Sequence, residues 1–369
     1  MSATTTRLIK TTLSALHVSR MDRAYERIAG VRGAILMLHH VKPKCRRRFS
    51  PNRILSITPE FFVEVLSFLR DRGIDFVTLD DVVDRLSGSC GPRPFVALTF
   101  DDGYRDNVEF ALPILRRFEA PATIYVPSSF PDGHADLWWL ILEEAIAGLN
   151  EVVLETPNGL LRARAVTSAE KEACFNRVYW VLRSLPEDLA RSEVARLAAE
   201  ADVDLEPFRR LAMTWDEVRE LANDPLVTIG AHTIGHYALA KLDQARALEE
   251  MKLSKERLER ELDRPCRHFS YPYGDEGSAG QREFDMAREL GFATGVTTRK
   301  GVLRARPQLD PLALPRLSLN GDYQSLTHFK VLMSGLPFRL LDTASQLRGL
   351  ARWGRGRGRA ASAAQAGPG

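Results

Sequence analysis

Cysteine is scarce: four in 369 residues, at Cys45, Cys90, Cys174 and Cys266, with no Cys-x-x-Cys pair. That is too sparse for a disulfide framework and points to a reducing compartment. Long apolar runs are missing too. No stretch of about 18 apolar residues occurs, so no membrane-spanning helix is expected. Arg7, Lys10, Arg20, Arg23 and Arg27 interrupt the N-terminal stretch before it reaches the apolar length of a secretory signal, so a cytoplasmic protein is expected. No fixed-period internal repeat occurs. A strong excess of one charge is also lacking, with 51 Lys and Arg against 48 Asp and Glu. The small surplus sits at the ends: residues 339–369 hold six arginines against one aspartate, and residues 1–32 hold six basic groups against two acidic ones. The body between them is therefore acidic, and no nucleic-acid partner is expected. With 44% hydrophobic and 27% charged positions, the chain has the composition of a globular protein rather than a disordered or collagenous one.

What is present is a rhythm. Short β-branched runs alternate with helix-period stretches, the signature of βα units around a parallel sheet or barrel. Strands are expected at Gly33–His39, Phe76–Leu79, Phe95–Phe100, Ala122–Pro127, Leu226–His232, His268–Tyr273, Phe292–Thr298 and Leu314–Leu319. Thr58 followed by Pro59 signals one helix start, and the Thr214/Glu217 capping box another. Leu242–Leu262 reads as an amphipathic helix stopping near Pro265. Residues 131–213 break the rhythm. They read as several helices with a short hairpin around Asn158–Gly159, a helical insertion on one end of the fold that could act as a lid or partner surface. Residues 1–32 and 331–353 read as basic amphipathic segments able to contact an anionic membrane peripherally, or to pack on the barrel. The Gly/Arg/Ala-rich tail, 354–369, reads as disordered.

Four segments carry chemistry. TFDDGY places Asp101 and Asp102 directly after a strand, where α/β sites are built. Along a continuing strand the two would face opposite ways, and Gly103 permits a turn that brings both into one pocket. Two adjacent carboxylates stay ionised only if a cation neutralises one. HTIGH follows another strand, and His232 and His236, at i and i+4, can converge on a metal if the segment turns helical. One Asp with two His also matches the facial triad of non-heme iron oxygenases, although Asp101 would then have no task. FSYPYG (269–274) is an aromatic strand end that can wall a sugar site. ILMLHH (35–40) ends a strand in two histidines of the right pKa for general acid work.

Together these motifs resemble the polysaccharide deacetylase family, the NodB-homology carbohydrate esterases, over roughly residues 33–320. TFDDGY is similar to the family's first motif, HTIGH to its H-[ST]-x-x-H motif and FSYPYG to its third. GFATGVTT and LPRLSL are similar to its late strands. The resemblance implies an α/β fold, a distorted (β/α) barrel spanning 33–330 with the 131–213 insertion. It also implies an enzyme removing acetyl groups from N-acetylated sugars of a poly- or oligosaccharide. Asp101 is then the general base, and Asp102, His232 and His236 hold a divalent cation, expected to be zinc. The Tyr273 backbone N–H helps hold the oxyanion.

Two positions depart from the pattern. Ser270 stands where many members have an arginine that orients the base, which makes Arg316 in LPRLSL the candidate for that task. The late segment has no acid histidine. ILMLHHV resembles instead the LMYH motif of the poly-N-acetylglucosamine deacetylase branch, which points to His39, with His40 as fallback. Tyr104, Tyr271 and Tyr237 are candidate sugar contacts, and Lys42, Lys44 and Arg46–Arg48 could form a basic lip. An O-acetyl esterase on the same site, or a silent glycan-binding protein that kept the fold, are the competing readings.

Overall fold

A computed structural model describes residues 3–45, 47–87, 93–157, 159–304 and 309–343. Seven strands form a closed, all-parallel barrel in chain order: β1 (Val31–Leu38), β2 (Phe95–Phe100), β3 (Ala122–Val126), β4 (Val227–Ala231), β5 (His268–Ser270), β6 (Thr294–Lys300) and β7 (Leu314–Ser318). Each pairs with the next, and β7 pairs back onto β1 (Leu36 opposite Leu317), which closes the ring. Strands covered on both faces read as continuous apolar runs, which is why GAILML and FVALTF show no polar alternation. Outward residues such as Leu36, Leu38, Leu98 and Phe100 join the shell of helices. Inward ones, Ile35, Phe95, Ala97, Tyr125, Val296 and Leu314, fill the lumen. Gly230 on β4 leaves room for the Tyr125 ring, since a Cβ there would sit 2.5 Å from it.

The expected strand at Phe76–Leu79 is corrected. Only Asp75–Phe76 is extended, outside the ring and beside β2, and a helix starts at Leu79. Thr78 and Asp81 cap that helix reciprocally: Asp81 accepts the Thr78 N–H (3.1 Å) and Thr78 Oγ1 accepts the Asp81 N–H (3.2 Å). The expected helix starts after Thr58 and Thr214 are present with their caps.

Residues 131–213 contain helices Trp138–Gly148, Ser168–Ser184, Glu187–Glu200 and Glu206–Arg209 and the hairpin Glu151–Thr156/Gly159–Arg164. Asn158 lies outside the described residues. The segment has its own apolar cluster, including Leu142, Ile146, Phe175, Val178, Leu182 and Leu197. It is sewn to the barrel at Gly103–Arg105, where the Arg105 N–H bonds the Leu211 carbonyl (2.8 Å) and the Met213 N–H bonds that of Gly103 (3.0 Å).

The N-terminal helix Ala3–Val18 packs on helix Leu326–Met333, with Leu13 buried and Ser14 Oγ 3.2 Å from His328 Nε2. Leu326–Met333 crosses the boundary expected at 330, because the chain first breaks its helical course at Gly335 (φ +74°). The remainder of the expected C-terminal helix beyond 343, and the tail 354–369, lie outside the described residues. Among the described residues no helix is long and apolar enough to cross a membrane.

Candidate metal centre and catalytic site

The chemistry-bearing residues gather at the carboxyl ends of the barrel strands, where the loops of a (β/α) barrel converge. After β2 the chain leaves its extended course at once: Asp102 takes φ +73° and Gly103 φ +62°. That turn sends Asp101 inward over the lumen and swings Asp102 toward β4. His232 follows β4 directly. His236 reaches the same place by a tight loop rather than the helical turn expected, with Thr233 and His236 both in the left-handed region (φ +64° and +60°). Within that loop Thr233 Oγ1 accepts the His236 N–H (2.9 Å).

Asp102, His232 and His236 offer ligand atoms that all lie within 4.8 Å of one another, and all three residues are buried. Asp102 Oδ1 is 3.4 Å from His232 Nε2 and 3.3 Å from His236 Nε2. Ligands sharing one ion at about 2.0–2.2 Å in tetrahedral geometry are separated by about that distance. Asp102 Oδ1 is buried with no hydrogen-bond partner. His232 Nδ1 lies 2.6 Å from the Ser270 carbonyl, so Nδ1 carries the proton and Nε2 is left as the electron-pair donor. Burial favours the neutral Asp102 acid, but the facing imidazoles of His232 and His236 outweigh it and hold the carboxyl well below its usual range. Burial lowers His236 below its ordinary 6.5 against the pull of Asp102. A carboxylate facing the Nε2 atoms of two imidazoles is a donor set that fits a divalent cation.

Asp101 is held differently. The Arg316 guanidinium, on β7 inside the barrel and 1% exposed, grips it with two prongs: Nη1 to Oδ1 at 2.8 Å and Nη2 to Oδ2 at 2.7 Å. Arg316 also donates to the Thr297 carbonyl (2.9 Å) and Thr99 Oγ1 (3.2 Å). Ser270, at the position where an arginine was sought, joins this network by donating to Asp101 Oδ1 (3.1 Å) and accepting from Arg316 (3.2 Å). Burial raises the Asp101 pKa, and the charge and hydrogen bonds of Arg316 outweigh it, so the carboxylate stays ionised below its ordinary 3.8.

The two histidines after β1 part ways. His39 Nε2 lies 3.9 Å from Asp101 Oδ2, with its side chain 19% exposed. His40 is 1% exposed, stacks on Tyr104 at 3.6 Å and gives Nδ1 to Asp106 (2.6 Å). Burial lowers its pKa more than Asp106 raises it. Asn107 donates to the His39 carbonyl (2.8 Å), so Asp106 and Asn107 together set the turn that presents His39. Sequence reasoning missed both, although they directly follow TFDDGYR.

Residues 88–295 match the family described as polysaccharide deacetylase. The chain belongs to the polysaccharide deacetylase family. It is an enzyme acting on acetylated polysaccharide, with the (β/α)7 barrel of that family. This deacetylase resembles solved structures at the level of the fold. One is a Streptococcus pyogenes deacetylase, PplD, in complex with acetate: 19% identity, TM-score 0.54, covering 83% of this chain and 99% of that one. A de-N-acetylase from Aggregatibacter actinomycetemcomitans (18% identity, TM-score 0.52, covering 81% and 99%) and IcaB from Ammonifex degensii (21%, 0.51, covering 82% and 98%) are comparably similar. No curated protein matches the chain.

The aromatic residues fall mostly behind the site. Tyr271 is fully buried against Phe269 and Phe284 with its hydroxyl on the Leu312 carbonyl (2.9 Å), a core residue rather than a sugar contact. Tyr104 is also fully buried, under His40, and its hydroxyl lies beside Asp102 and Trp139. Tyr237 is partly buried between the Arg191 and Arg246 guanidiniums. Trp139, from the insertion, packs on His236 at 4.9 Å, and Tyr273 covers another side of that ring at 4.8 Å. Trp138 donates to the Tyr273 hydroxyl (2.6 Å), so the insertion walls the Asp102–His232–His236 cluster. Tyr273 is left-handed (φ +60°), and its N–H bonds no group among the described residues, as an oxyanion donor requires. Of the residues that could form a basic lip, Lys42 is partly buried, Arg47 pairs with Glu144 (2.6 Å), Lys44 and Arg48 are exposed, and Arg46 lies outside the described residues.

Proposed function

We propose that this deacetylase is metal-dependent, holds zinc on Asp102, His232 and His236, and hydrolyses the acetamide of N-acetylated sugars in a poly- or oligosaccharide. One observation carries the reading. A buried, unpartnered carboxylate oxygen faces two imidazole nitrogens at ligand spacing, beside a second carboxylate that is kept ionised and uncommitted to that cluster. A divalent cation bound there supplies Lewis acidity toward the acetyl oxygen and makes a water molecule acidic enough to be deprotonated near neutral pH.

The chain's own groups do the rest. Asp101 accepts the proton of the attacking water, with Arg316 fixing both its oxygens so that one lone pair stays directed at the site. The Tyr273 N–H donates to the oxygen that becomes negative in the tetrahedral intermediate. His39 donates a proton to the departing sugar nitrogen. An amine leaves far less readily than an alcohol unless it is protonated, so a histidine near Asp101 suits amide hydrolysis rather than ester hydrolysis. A facial-triad iron oxygenase would leave the Asp101–Arg316 pair without a task.

The test is acetate release from a panel of N- and O-acetylated glycans, with and without chelator, for the wild type and Asp101→Asn. The expected result is chelator-sensitive release from N-acetylated substrates. Asp101→Asn should lower it by about 10²–10⁴-fold while keeping the bound metal. Release confined to O-acetyl groups reassigns the enzyme as an esterase, and full activity in Asp101→Asn overturns the role of the base.

A further inference from the structure

The loop carrying His236 holds two non-glycine residues in left-handed conformations, a strain of roughly 1–2 kcal/mol each, so something must over-determine it. Its backbone groups can be followed one by one. The Ser128 N–H donates to the Thr233 carbonyl (3.0 Å), and Ser129 donates to that of Ile234 through its N–H (3.1 Å) and Oγ (2.8 Å). Glu250, on helix Gln244–Leu262, accepts the Ile234 and Gly235 N–H groups at 2.9 and 3.0 Å. The two remaining carbonyls both depend on one side chain. Arg191 Nη2 donates to Gly235 O at 2.8 Å and to His236 O at 3.2 Å.

Arg191 comes from helix Glu187–Glu200 of the insertion, not from the barrel. It is itself pinned, by an ion pair with Asp136, by Glu187 at 3.9 Å and by the Tyr237 ring 4.2 Å away. Its side chain is 13% exposed, so the carbonyls it serves have little access to water as a substitute.

The two imidazoles of the metal centre are oriented by different means. The His232 ring is fixed through Nδ1 on the Ser270 carbonyl, whereas His236 Nδ1 is buried with no partner. Apart from Asp102 Oδ1, 3.3 Å from Nε2, the described neighbours of the His236 ring are the rings of Phe130, Trp139, His232 and Tyr273, none of which bonds its Nδ1, so its direction follows mainly from its backbone. We propose that Arg191 is a positioning residue for the metal centre, by which the insertion sets the backbone of His236 and hence the aim of its Nε2. The inference rests on the metal reading given above. A helical insertion otherwise read as a lid is thereby part of what makes the barrel competent to hold the cation.

The test uses the full chain and Zn2+ titrated against a competing chelating dye, together with the melting temperature of the metal-free protein. Arg191→Met should raise the Zn2+ dissociation constant about 10–100-fold, the usual loss when the outer support of a ligand is removed. The visible absorption of the Co2+-substituted variant should also change, which mere loosening of a distant helix would not cause. If Arg191→Met fails to melt cooperatively, Arg191→Lys decides. It keeps the charge beside Asp136 but loses the planar fork, and it should bind Zn2+ several-fold more weakly at an unchanged melting temperature. Wild-type affinity and an unchanged Co2+ spectrum in the folded variant overturn the proposal. A wild-type protein that binds no Zn2+ overturns the metal reading itself, a distinct result.

Discussion

Arg316 and Asp101 stand 215 positions apart in the chain and meet in a two-pronged ion pair inside the barrel. Neither charge has access to water, so each is tolerable only because of the other. The proposed base is thereby set in position and in charge by a residue on the last barrel strand in the chain.

Removing that guanidinium has a defined sign. Asp101 lies below its ordinary 3.8 because Arg316 outweighs burial. The depressed pKa contributes stability that is present above about pH 4 and is lost as pH falls through the folded value. In Arg316→Met burial acts unopposed by the guanidinium, so the Asp101 pKa rises. The acid limb of the kcat/KM profile should move to higher pH, and the fold should lose about 3–5 kcal/mol, read by urea unfolding. Arg316→Lys should retain more stability. An unmoved acid limb in a folded Arg316 variant means that Asp101 is not the group titrating there.

His39 and His40 should separate cleanly. His39→Ala should lower kcat by about 10²–10⁴-fold with little change in melting temperature, because its ring makes no short hydrogen bond. His40→Ala should act mainly on stability, through the lost Asp106 bond and the stack on Tyr104. A dead but stable His40→Ala beside an active His39→Ala would reverse the assignment of the acid.

Asp102→Ala, His232→Ala and His236→Ala should each lose bound metal together with activity, measured by metal content after dialysis. Metal retained at full stoichiometry in any one of them removes that residue from the ligand set.

The basic N-terminal helices expose Leu8, Val18, Met21 and Ile28 on a segment that also carries Arg7, Lys10, Arg20, Arg23 and Arg27. Sedimentation with anionic vesicles at low salt, weakened at moderate salt, is the outcome expected of a peripheral membrane contact. The same pelleted fraction with neutral vesicles would show that charge plays no part.

The parallel strands were legible because strands covered on both faces are nearly continuous apolar runs, and GAILML, FVALTF and ATIYV announce themselves that way. The Phe76–Leu79 strand was not, since Thr78 and Asp81 form a cap whose helical sense depends on how the chain turns after Phe76. The candidate site was legible where a motif keeps its polar groups close in sequence: Asp101 with Asp102, and His232 with His236. Tyr271 proves a core residue, because an aromatic at a strand end reads the same whether its ring faces the cleft or the shell of helices.

The sequence alone determined the βα rhythm, the four polar positions of two short motifs and the place of the insertion, because periodicity and short motifs are local properties; the barrel class and the roles of those four residues were implied by the family resemblance. Only the tertiary structure decided that Arg316 grips Asp101, that His39 rather than His40 faces it, and that Arg191 holds the loop of His236. Each of those rests on which groups are buried together at a few ångströms, and that distance is set by closure of the ring, not by separation along the chain.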